Sequence, residues 1–174
     1  QMCIRDRLTA IAGPPGASAI GLIYEYIRHP HFAEQVNSEL KQLSIAEIIE
    51  SPKQHASFAL QFIKETLRLW SPPLFMTRPV RVDMEVAGHH VQSGQRYILS
   101  PYLLHHDPES WEQAEKFDPT RWDEDKLESN KARKGAYAPF GWAPKSCIGS
   151  NLGTHQLLVW LHLVLPNVYD ILFY

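Results

Sequence analysis

Cysteine is scarce in this chain, and its spacing argues against several classes of protein. The 174 residues include two cysteines, Cys3 and Cys147, at opposite ends and without a Cys-x-x-Cys pair. A disulfide-stapled secreted domain needs an even framework of closely spaced cysteines, and a structural zinc site needs paired ligands. A reducing compartment, and with it a cytoplasmic location, is therefore the expectation.

Long apolar runs are also missing. The longest candidate, LLVWLHLVLP near the C-terminal end, is shorter than the roughly 18 to 20 apolar residues that a membrane-spanning helix needs. No signal peptide is visible. Gln1 is not an initiator residue, so an upstream membrane anchor stays open.

The chain has little net charge. Its formal charge is -2, and the acidic and basic residues are interspersed. This gives no reason to expect a nucleic-acid partner or a charged membrane surface. A hydrophobic content of 44% suits a globular protein with an apolar core, so small or apolar partners remain open.

Apolar spacing predicts helices in the first half of the chain. The segment LTAIAGPPGASAIGLIYEYIRHP ends in Arg28, His29 and Pro30, which is a helix stop signal. Inside it, Pro14 and Pro15 either begin a new helix or kink one that lines a ligand cavity. Two more segments, PHFAEQVNSELKQL and HASFALQFIKETLRLWSPP, carry apolar residues at helical spacing.

The second half of the chain changes character. Three short segments, VRVDMEV, HHVQSG and RYILSPYL, predict strands broken at Gly88 and Gly94. A proline- and tryptophan-rich meander from Asp107 to Trp122 and then a charged stretch, DEDKLESNKARKG, follow as irregular structure. The last element, SNLGTHQLLVWLHLVL, is nearly all apolar on every face after His155 and predicts a helix buried deep inside a protein larger than these residues. The fold class is mainly α with a small β-sheet.

The histidine pairs in this half are interpreted as surface turns. His89-His90 and His105-His106 have no other ligand spaced to close a metal site. We therefore expect no metal to be bound by these side chains.

Glu65 and Arg68 lie three residues apart on a predicted helix and share a face. An exposed pair would contribute under about 1 kcal/mol. The neighbours Phe62 and Trp70 favour burial of part of that face, and a buried pair requires further hydrogen bonds. Arg121, in FDPTRW, is a candidate for a third charge.

Cys147 lies in a constrained loop, YAPFGWAPKSCIGSNLG, that leads into the last helix. A thiolate ahead of a helix start is stabilised by the backbone amide dipoles, which lower its pKa and make it a ligand or nucleophile. Gly141 and Gly149 permit close approach of a flat cofactor. The alternative is a small cysteine buried in the core.

Together these residues resemble the C-terminal half of the cytochrome P-450 family of heme-thiolate monooxygenases. The family pattern Phe-Gly-x-Gly-x-Arg-x-Cys-x-Gly is matched at Phe140, Gly141, Cys147 and Gly149, with Ala143 and Lys145 in the second glycine and arginine positions. ETLR, LSPYLLHHDPESW and FDPTRW resemble the helical signature, the sheet-to-helix connection and the meander, in family order.

The resemblance implies that residues 1–174 form part of a single heme-thiolate domain, incomplete at both ends, from the oxygen-site helix through the cysteine loop to the following core helix. Cys147 would be the catalytic thiolate and the axial ligand of the iron of heme b. The heme contacts would come from Phe140, Gly141, Lys145, Gly149 and Arg78. The substrate pocket would be lined by Leu74, Phe75 and Met76, and the charges holding the fold behind the heme would be Glu65, Arg68 and Arg121.

The implied activity is oxidation of a lipophilic small molecule with dioxygen. Two electrons would come from NAD(P)H through a ferredoxin or flavoprotein partner. Lys131, Arg133 and Lys134 are candidates for docking an acidic donor, with a solvated charge run as the alternative.

The sequence departs from the family pattern at one point in the first helix, and this departure is the reason to consider other functions. Family members commonly carry an acid and a threonine beside the oxygen site, where this chain has Pro15 and Gly16. No side chain at these two positions can relay a proton. A peroxide-driven or rearranging enzyme without a reductase is one alternative, and a non-catalytic heme-binding fragment is another.

Overall fold

The computed structural model describes residues 4–123, 126 and 133–168, and within them the fold is mainly α, as predicted. The helices are α1 (Ile4–Arg28), α2 (Pro30–Leu40), α3 (Ile45–Glu50), α4 (Pro52–His55), α5 (Ser57–Leu69), α6 (Pro101–His105), α7 (Arg133–Ala136) and α8 (Ser150–Leu163). Short 3-10 turns occupy Pro119–Trp122 and Leu165–Asn167. Among the described residues, none of the helices is both long and apolar enough to cross a membrane.

The β structure is two small antiparallel pairs. Strands β1 (Met76–Pro79) and β4 (Arg96–Leu99) pair with Met76 opposite Leu99, and β2 (Met84–Val86) pairs with β3 (His89–Val91). Gly88 and Gly94, the predicted breaks, have positive φ angles of 78° and 89°. The first strand begins ahead of the predicted VRVDMEV segment, because backbone pairing with β4 recruits residues before Val80.

Helix α1 runs through both prolines without starting afresh. Pro14 and Pro15 lie inside the helix, so the interpretation of a new helix beginning at these residues is wrong. Prolines remove the amide donors that the carbonyls of Ala10 and Ile11 would otherwise receive. The helix persists because α1 packs against α5 and α8, and most helical stability in proteins comes from such packing.

The core lies where α1, α2, α5 and α8 meet. Its fully buried members include Leu22, Val36, Leu40, Phe62, Leu158 and Leu161. Within the described residues Leu152 is 67% exposed and Leu163 is 49% exposed, so these residues alone do not bury α8 on every face. Only one face of α8 meets the other described helices, and that face carries its buried leucines.

Helix α5 carries the ETLR sequence, and its N-terminus is fixed by a carboxylate from α2. The backbone N–H groups of Phe58 and Ala59 donate to the two oxygens of Glu39 at 2.9 and 2.8 Å. The first amides of a helix lack intrahelical acceptors, so this carboxylate satisfies them and complements the helix dipole. The contact therefore sets where Glu65 and Arg68 lie relative to α2.

The packing of α1 on the end of α5 depends on a glycine. A Cβ at Gly21 would lie 2.9 Å from Cβ of Trp70, whereas a Cβ at Gly13 would meet nothing within 4 Å. We expect Gly21→Ala to destabilise the intact protein by about 1 to 3 kcal/mol through overpacking. Gly13→Ala should be neutral or stabilise it by up to about 1 kcal/mol through helix propensity. Chemical denaturation measures both, and equal effects would contradict the close contact.

Candidate functional site

Three charged side chains meet behind the middle of α5. Arg68 donates to Glu65 through Nε (3.0 Å to Oε2) and Nη2 (2.9 Å to Oε1), and Arg121 Nε donates to Oε1 at 2.8 Å. Glu65 and Arg68 are fully buried and Arg121 is 7% exposed. The alternative of an exposed pair is therefore wrong. The structure brings together all three residues expected to form a charge cluster.

The Glu65 carboxylate accepts two further hydrogen bonds. The indole Nε1 of Trp122 donates to Oε2 at 3.0 Å, and the backbone N–H of Asp118 donates to Oε1 at 3.1 Å. A buried carboxylate is tolerated only when opposite charge and donors replace the water that it has lost. Two arginines, an indole and an amide fill that requirement here.

The same arginines hold the meander. Arg68 Nη1 donates to the carbonyls of His105 at 2.7 Å and Ala114 at 2.6 Å, and Nη2 donates to Lys116 at 3.1 Å. Arg121 Nη1 donates to the carbonyl of Glu112 at 3.2 Å. Since a guanidinium presents its five donors in a fixed plane, these contacts fix the path of the meander over α5.

His105 is buried, and its interpretation as part of a surface turn is wrong. Its side chain is fully enclosed at the end of α6. Nδ1 lies 3.0 Å from the carbonyl of Arg68, and the backbone N–H of Ala138 donates to Nε2 at 2.9 Å. Burial, reinforced by the charge of Arg68, lowers the pKa of His105 to about 4. The imidazole is thus neutral at physiological pH.

This buried imidazole gives the protein a stability that depends on pH. The folded pKa is about 4 against an ordinary value of 6.5, so between these pH values the unfolded chain binds more protons. Stability is fully present above pH 6.5 and is lost as pH falls toward 4, by up to ~3 kcal/mol from this residue. Urea unfolding of the intact protein at several pH values measures the slope. A His105→Gln variant should show a shallower slope, and an unchanged slope would contradict the assignment.

The start of the cysteine loop is anchored beside His105. The Tyr137 hydroxyl donates to the carbonyl of Lys64 at 3.1 Å, and its ring packs against the Trp122 ring with centroids 4.5 Å apart. Burial, followed by the nearby Glu65 carboxylate, raises the pKa of Tyr137. The phenol is therefore a neutral donor that ties the loop to α5.

The loop itself is closed by backbone hydrogen bonds. The N–H of Cys147 donates to the carbonyl of Phe140 at 2.8 Å, and the N–H of Gly141 donates to that of Ala138 at 3.0 Å. Gly141 has a φ of 76°, which an L side chain rarely adopts. The side chain of Cys147 is exposed, so the alternative of a cysteine packed in the core is wrong.

The Cys147 side chain faces a cavity of about 510 Å³ between the loop, α1 and α8. Volumes of about 300 to 1,000 Å³ are typical of ligand pockets. Of the residues predicted for heme or substrate contact, those that line this cavity are Cys147, Phe140, Lys145, Gly149 and Met76.

The other predicted contacts lie at or beyond the cavity edge. A Cβ at Gly141 would lie 3.6 Å from the sulfur of Met76, and Arg78 Nη2 lies 4.0 Å from the same sulfur. Leu74 and Phe75 are 57% and 64% exposed and are not among the lining residues. The structure therefore brings Gly141 and Arg78 next to a cavity residue but leaves Leu74 and Phe75 outside the wall.

Several cavity residues were not singled out from the sequence. The lining also includes Ser18 of α1, Leu67 of α5, and Leu152 and Gln156 of α8. Ser18 lies four residues after Pro14, so helical spacing could have placed it on the same face. The other three face the cavity because of tertiary packing, and no local signal marks them.

The donor set fits a heme held by one thiolate. The exposed Cys147 thiol beside an apolar cavity is a soft donor of the kind that holds heme iron. In the described part of the chain no cluster of His, Cys, Asp or Glu side chains could cage a metal ion. Beside the sulfur, a Cβ at Gly149 would lie 3.8 Å from Sγ, and one at Gly153 would lie 3.7 Å from the Phe140 ring. Neither glycine puts a side chain on this part of the wall.

Comparison with known proteins agrees with this arrangement. The family model described as Cytochrome P450 matches residues 18–168. Germacrene A hydroxylase of Helianthus annuus is 36% identical over 86% of this chain and 31% of its own length. Cytochrome P450 3A7 of Homo sapiens is 29% identical over 84% of the chain and 29% of its own length. Thromboxane-A synthase of Rattus norvegicus is 40% identical over 52% of the chain and 17% of its own length.

A helical scaffold with a thiol loop beside an apolar cavity is the arrangement of a heme-thiolate protein. The match over most of the chain shows that it belongs to the cytochrome P450 family, whose members are heme-binding oxidoreductases. The chain spans about a third of the length of the first two of these relatives. Pro15 and Gly16, where a departure from the family pattern is expected from the sequence, lie ahead of the matched residues.

Proposed function

We propose that the intact protein is a heme-thiolate monooxygenase that oxidises a lipophilic small molecule with dioxygen and two electrons from a redox partner. One observation carries the proposal: the exposed thiol of Cys147 lies ahead of α8 on the wall of an apolar cavity of about 510 Å³. Membership of the cytochrome P450 family supports it, as does a relative named as a hydroxylase.

Residues 1–174 form part of one heme-thiolate domain in this proposal, from α1 through the cysteine loop to α8. Cys147 binds the iron of heme b as a thiolate. When bound, heme supplies the oxidation chemistry, and a thiolate ligand donates electron density to it.

The remaining residues hold the group and the substrate. Phe140 and the backbone amides after Cys147 tune the sulfur from the loop side, and Gly141 and Gly149 leave room for the heme beside the loop. Lys145 and Arg78 hold the heme propionates, and Lys145 does so as a point charge where the family pattern has an arginine fork. The substrate contacts are Met76 on the cavity wall and Leu74 and Phe75 on the segment leading to it.

A donor protein supplies the electrons, and NAD(P)H is their source through a ferredoxin or flavoprotein. The basic cluster considered for docking this donor cannot be placed, since Lys131 and the side chains of Arg133 and Lys134 lie outside the described residues. The proposal of an electron-donor protein therefore depends on family membership and on the proposed monooxygenase activity. No surface patch is assigned to the donor.

The reduced carbon monoxide spectrum of the intact, heme-loaded protein tests the proposal. A heme held by a thiolate gives a characteristic red-shifted band, and we expect that band here. A protein that takes up no heme, or whose heme gives the band of a histidine-bound iron, would contradict the proposal.

A peroxide-driven or rearranging enzyme on the same scaffold is the second candidate. The observation that favours it is Pro15 and Gly16 inside α1, at positions that carry no side chain able to relay a proton. Product formation that requires NAD(P)H and a donor protein supports the monooxygenase, and turnover with peroxide or with neither supports the second candidate.

A further inference from the structure

One buried side chain connects the charge cluster to the cysteine loop. His105 lies at the end of α6, with α5 on one side of its ring and the start of the cysteine loop on the other. The ring of Tyr137 lies 5.4 Å away between centroids, at an interplanar angle of 30°. Neither the sequence motifs nor the proposed heme contacts assign this histidine a role.

The hydrogen bonds of His105 identify its tautomer. The N–H of Ala138 can only donate, so Nε2 must accept and carries no proton. Nδ1 therefore holds the proton and donates it to the Arg68 carbonyl at 3.0 Å. In a protonated ring Nε2 would also carry a proton, and its N–H would then point at the N–H of Ala138. Only the neutral Nδ1–H form satisfies both contacts.

The contact with α5 is reciprocal. The Arg68 side chain donates to the His105 carbonyl at 2.7 Å, while the His105 side chain donates to the Arg68 carbonyl. Arg68 is in turn held by both oxygens of Glu65. His105 is thereby fixed to the most rigidly bonded part of the structure, and its Nε2 presents a fixed acceptor to the loop.

The loop side of the connection leads to Cys147 through two backbone steps. The Ala138 N–H is held by His105, and the Ala138 carbonyl accepts from Gly141 at 3.0 Å. The Phe140 carbonyl, between them, accepts the Cys147 N–H at 2.8 Å. A shift of the Ala138 amide would move Phe140 and with it the backbone that carries the sulfur.

We propose that His105 is a positioning residue that fixes the cysteine loop, by accepting the Ala138 amide at Nε2 while donating from Nδ1 to the C-terminal end of α5. It contacts neither the heme nor the substrate, and it acts on Cys147 through Ala138 and Phe140. This inference depends on the proposed role of Cys147 as the heme ligand, and it names the residue that holds that ligand in place.

Two substitutions separate the two hydrogen bonds of the ring. In His105→Asn the side-chain amide reaches about as far as Nδ1, so it keeps the donor to Arg68 and loses the acceptor for Ala138. In His105→Gln the amide oxygen reaches about as far as Nε2 and keeps the acceptor. His106→Asn is the matched control, because His106 bonds the Tyr102 carbonyl at 2.9 Å and its ring packs against the Tyr102 ring, whereas the Ala138 amide is bonded by His105.

The intact heme protein is examined by hydrogen exchange and by its carbon monoxide spectrum. We expect His105→Asn to speed exchange of the Ala138 amide about tenfold or more, because the amide loses its acceptor. The thiolate-type band should decay roughly tenfold or more faster, since outer contacts of a metal ligand act at this scale. His105→Gln and His106→Asn should keep both rates near the wild-type values. Equal rates in His105→Asn and His106→Asn, or identical losses in the Asn and Gln variants at position 105, would overturn the proposal.

The wild-type protein provides a test that needs no variant to fold. Nitrogen-15 labelling of histidine in the reduced carbon monoxide complex reports which ring nitrogen of His105 carries the proton, and a proton on Nε2 would overturn the proposal. The two claims can also fail separately. A wild-type protein without the thiolate-type band refutes the ligand role of Cys147, while the Ala138 exchange rates still report whether His105 holds the loop.

Discussion

Replacing Cys147 with serine is expected to abolish the thiolate-type carbon monoxide band of the intact protein while leaving its fold in place. The side chain is exposed and lies on the cavity wall, so the substitution removes no core packing. Surface changes of this kind usually alter stability by under about 0.5 kcal/mol. The hydroxyl of serine stays protonated near neutral pH and is a harder ligand, so it does not replace a thiolate on iron.

The measurement compares three proteins after reduction under carbon monoxide: the wild type, Cys147→Ser and Ser146→Ala. Ser146 is the matched control, since it is the exposed neighbour of Cys147 in the same loop. We expect the band in the wild type and in Ser146→Ala, and no thiolate-type band in Cys147→Ser. A band that survives the loss of Cys147 would mean that another atom holds the iron, and the proposed function would fail with it.

The long helices α2 and α5 could be predicted because their stability depends on periodic apolar faces, whereas the short helices α3, α4, α6 and α7 were not predicted. In α2 the buried residues Ala33, Val36 and Leu40 follow helical spacing, and α5 buries Phe58 and Phe62 in the same way. The continuation of α1 through two prolines could not be predicted. Local chemistry disfavours it, and contact with α5 and α8, distant in sequence, decides it.

The residues of the candidate site were also predictable only in part, for the same reason. Glu65, Arg68 and Arg121 could be grouped because family motifs mark each of them, and the structure joins them within 3.0 Å. The role of His105 could not be predicted from a His-His pair. The His105 ring is buried only because the folded chain brings it against the Arg68 carbonyl of α5 and the Ala138 amide of the cysteine loop. Long-range hydrogen bonds leave no periodic trace in the sequence.

Glu65→Gln is the substitution expected to cost the most stability. Glutamine keeps the shape and volume of the side chain but removes its negative charge. That charge faces two buried arginines, Arg68 (0% exposed) and Arg121 (7% exposed). It also turns one acceptor oxygen into a donor, which opposes the N–H groups that point at it. Breaking a buried pair from one side costs about 3 to 5 kcal/mol, because the remaining charge stays desolvated.

Urea unfolding of the intact protein measures this loss, with Glu34→Gln on the exposed face of α2 as the matched control. The same change there should alter stability by under about 0.5 kcal/mol. Because Arg68 and Arg121 also hold the meander, the Glu65 variant should lose protection from hydrogen exchange along residues 105–122 before the core of α2 does. A loss equal to that of the control would mean that the arginines are satisfied by the meander carbonyls alone, and the carboxylate would then have no part in holding the fold.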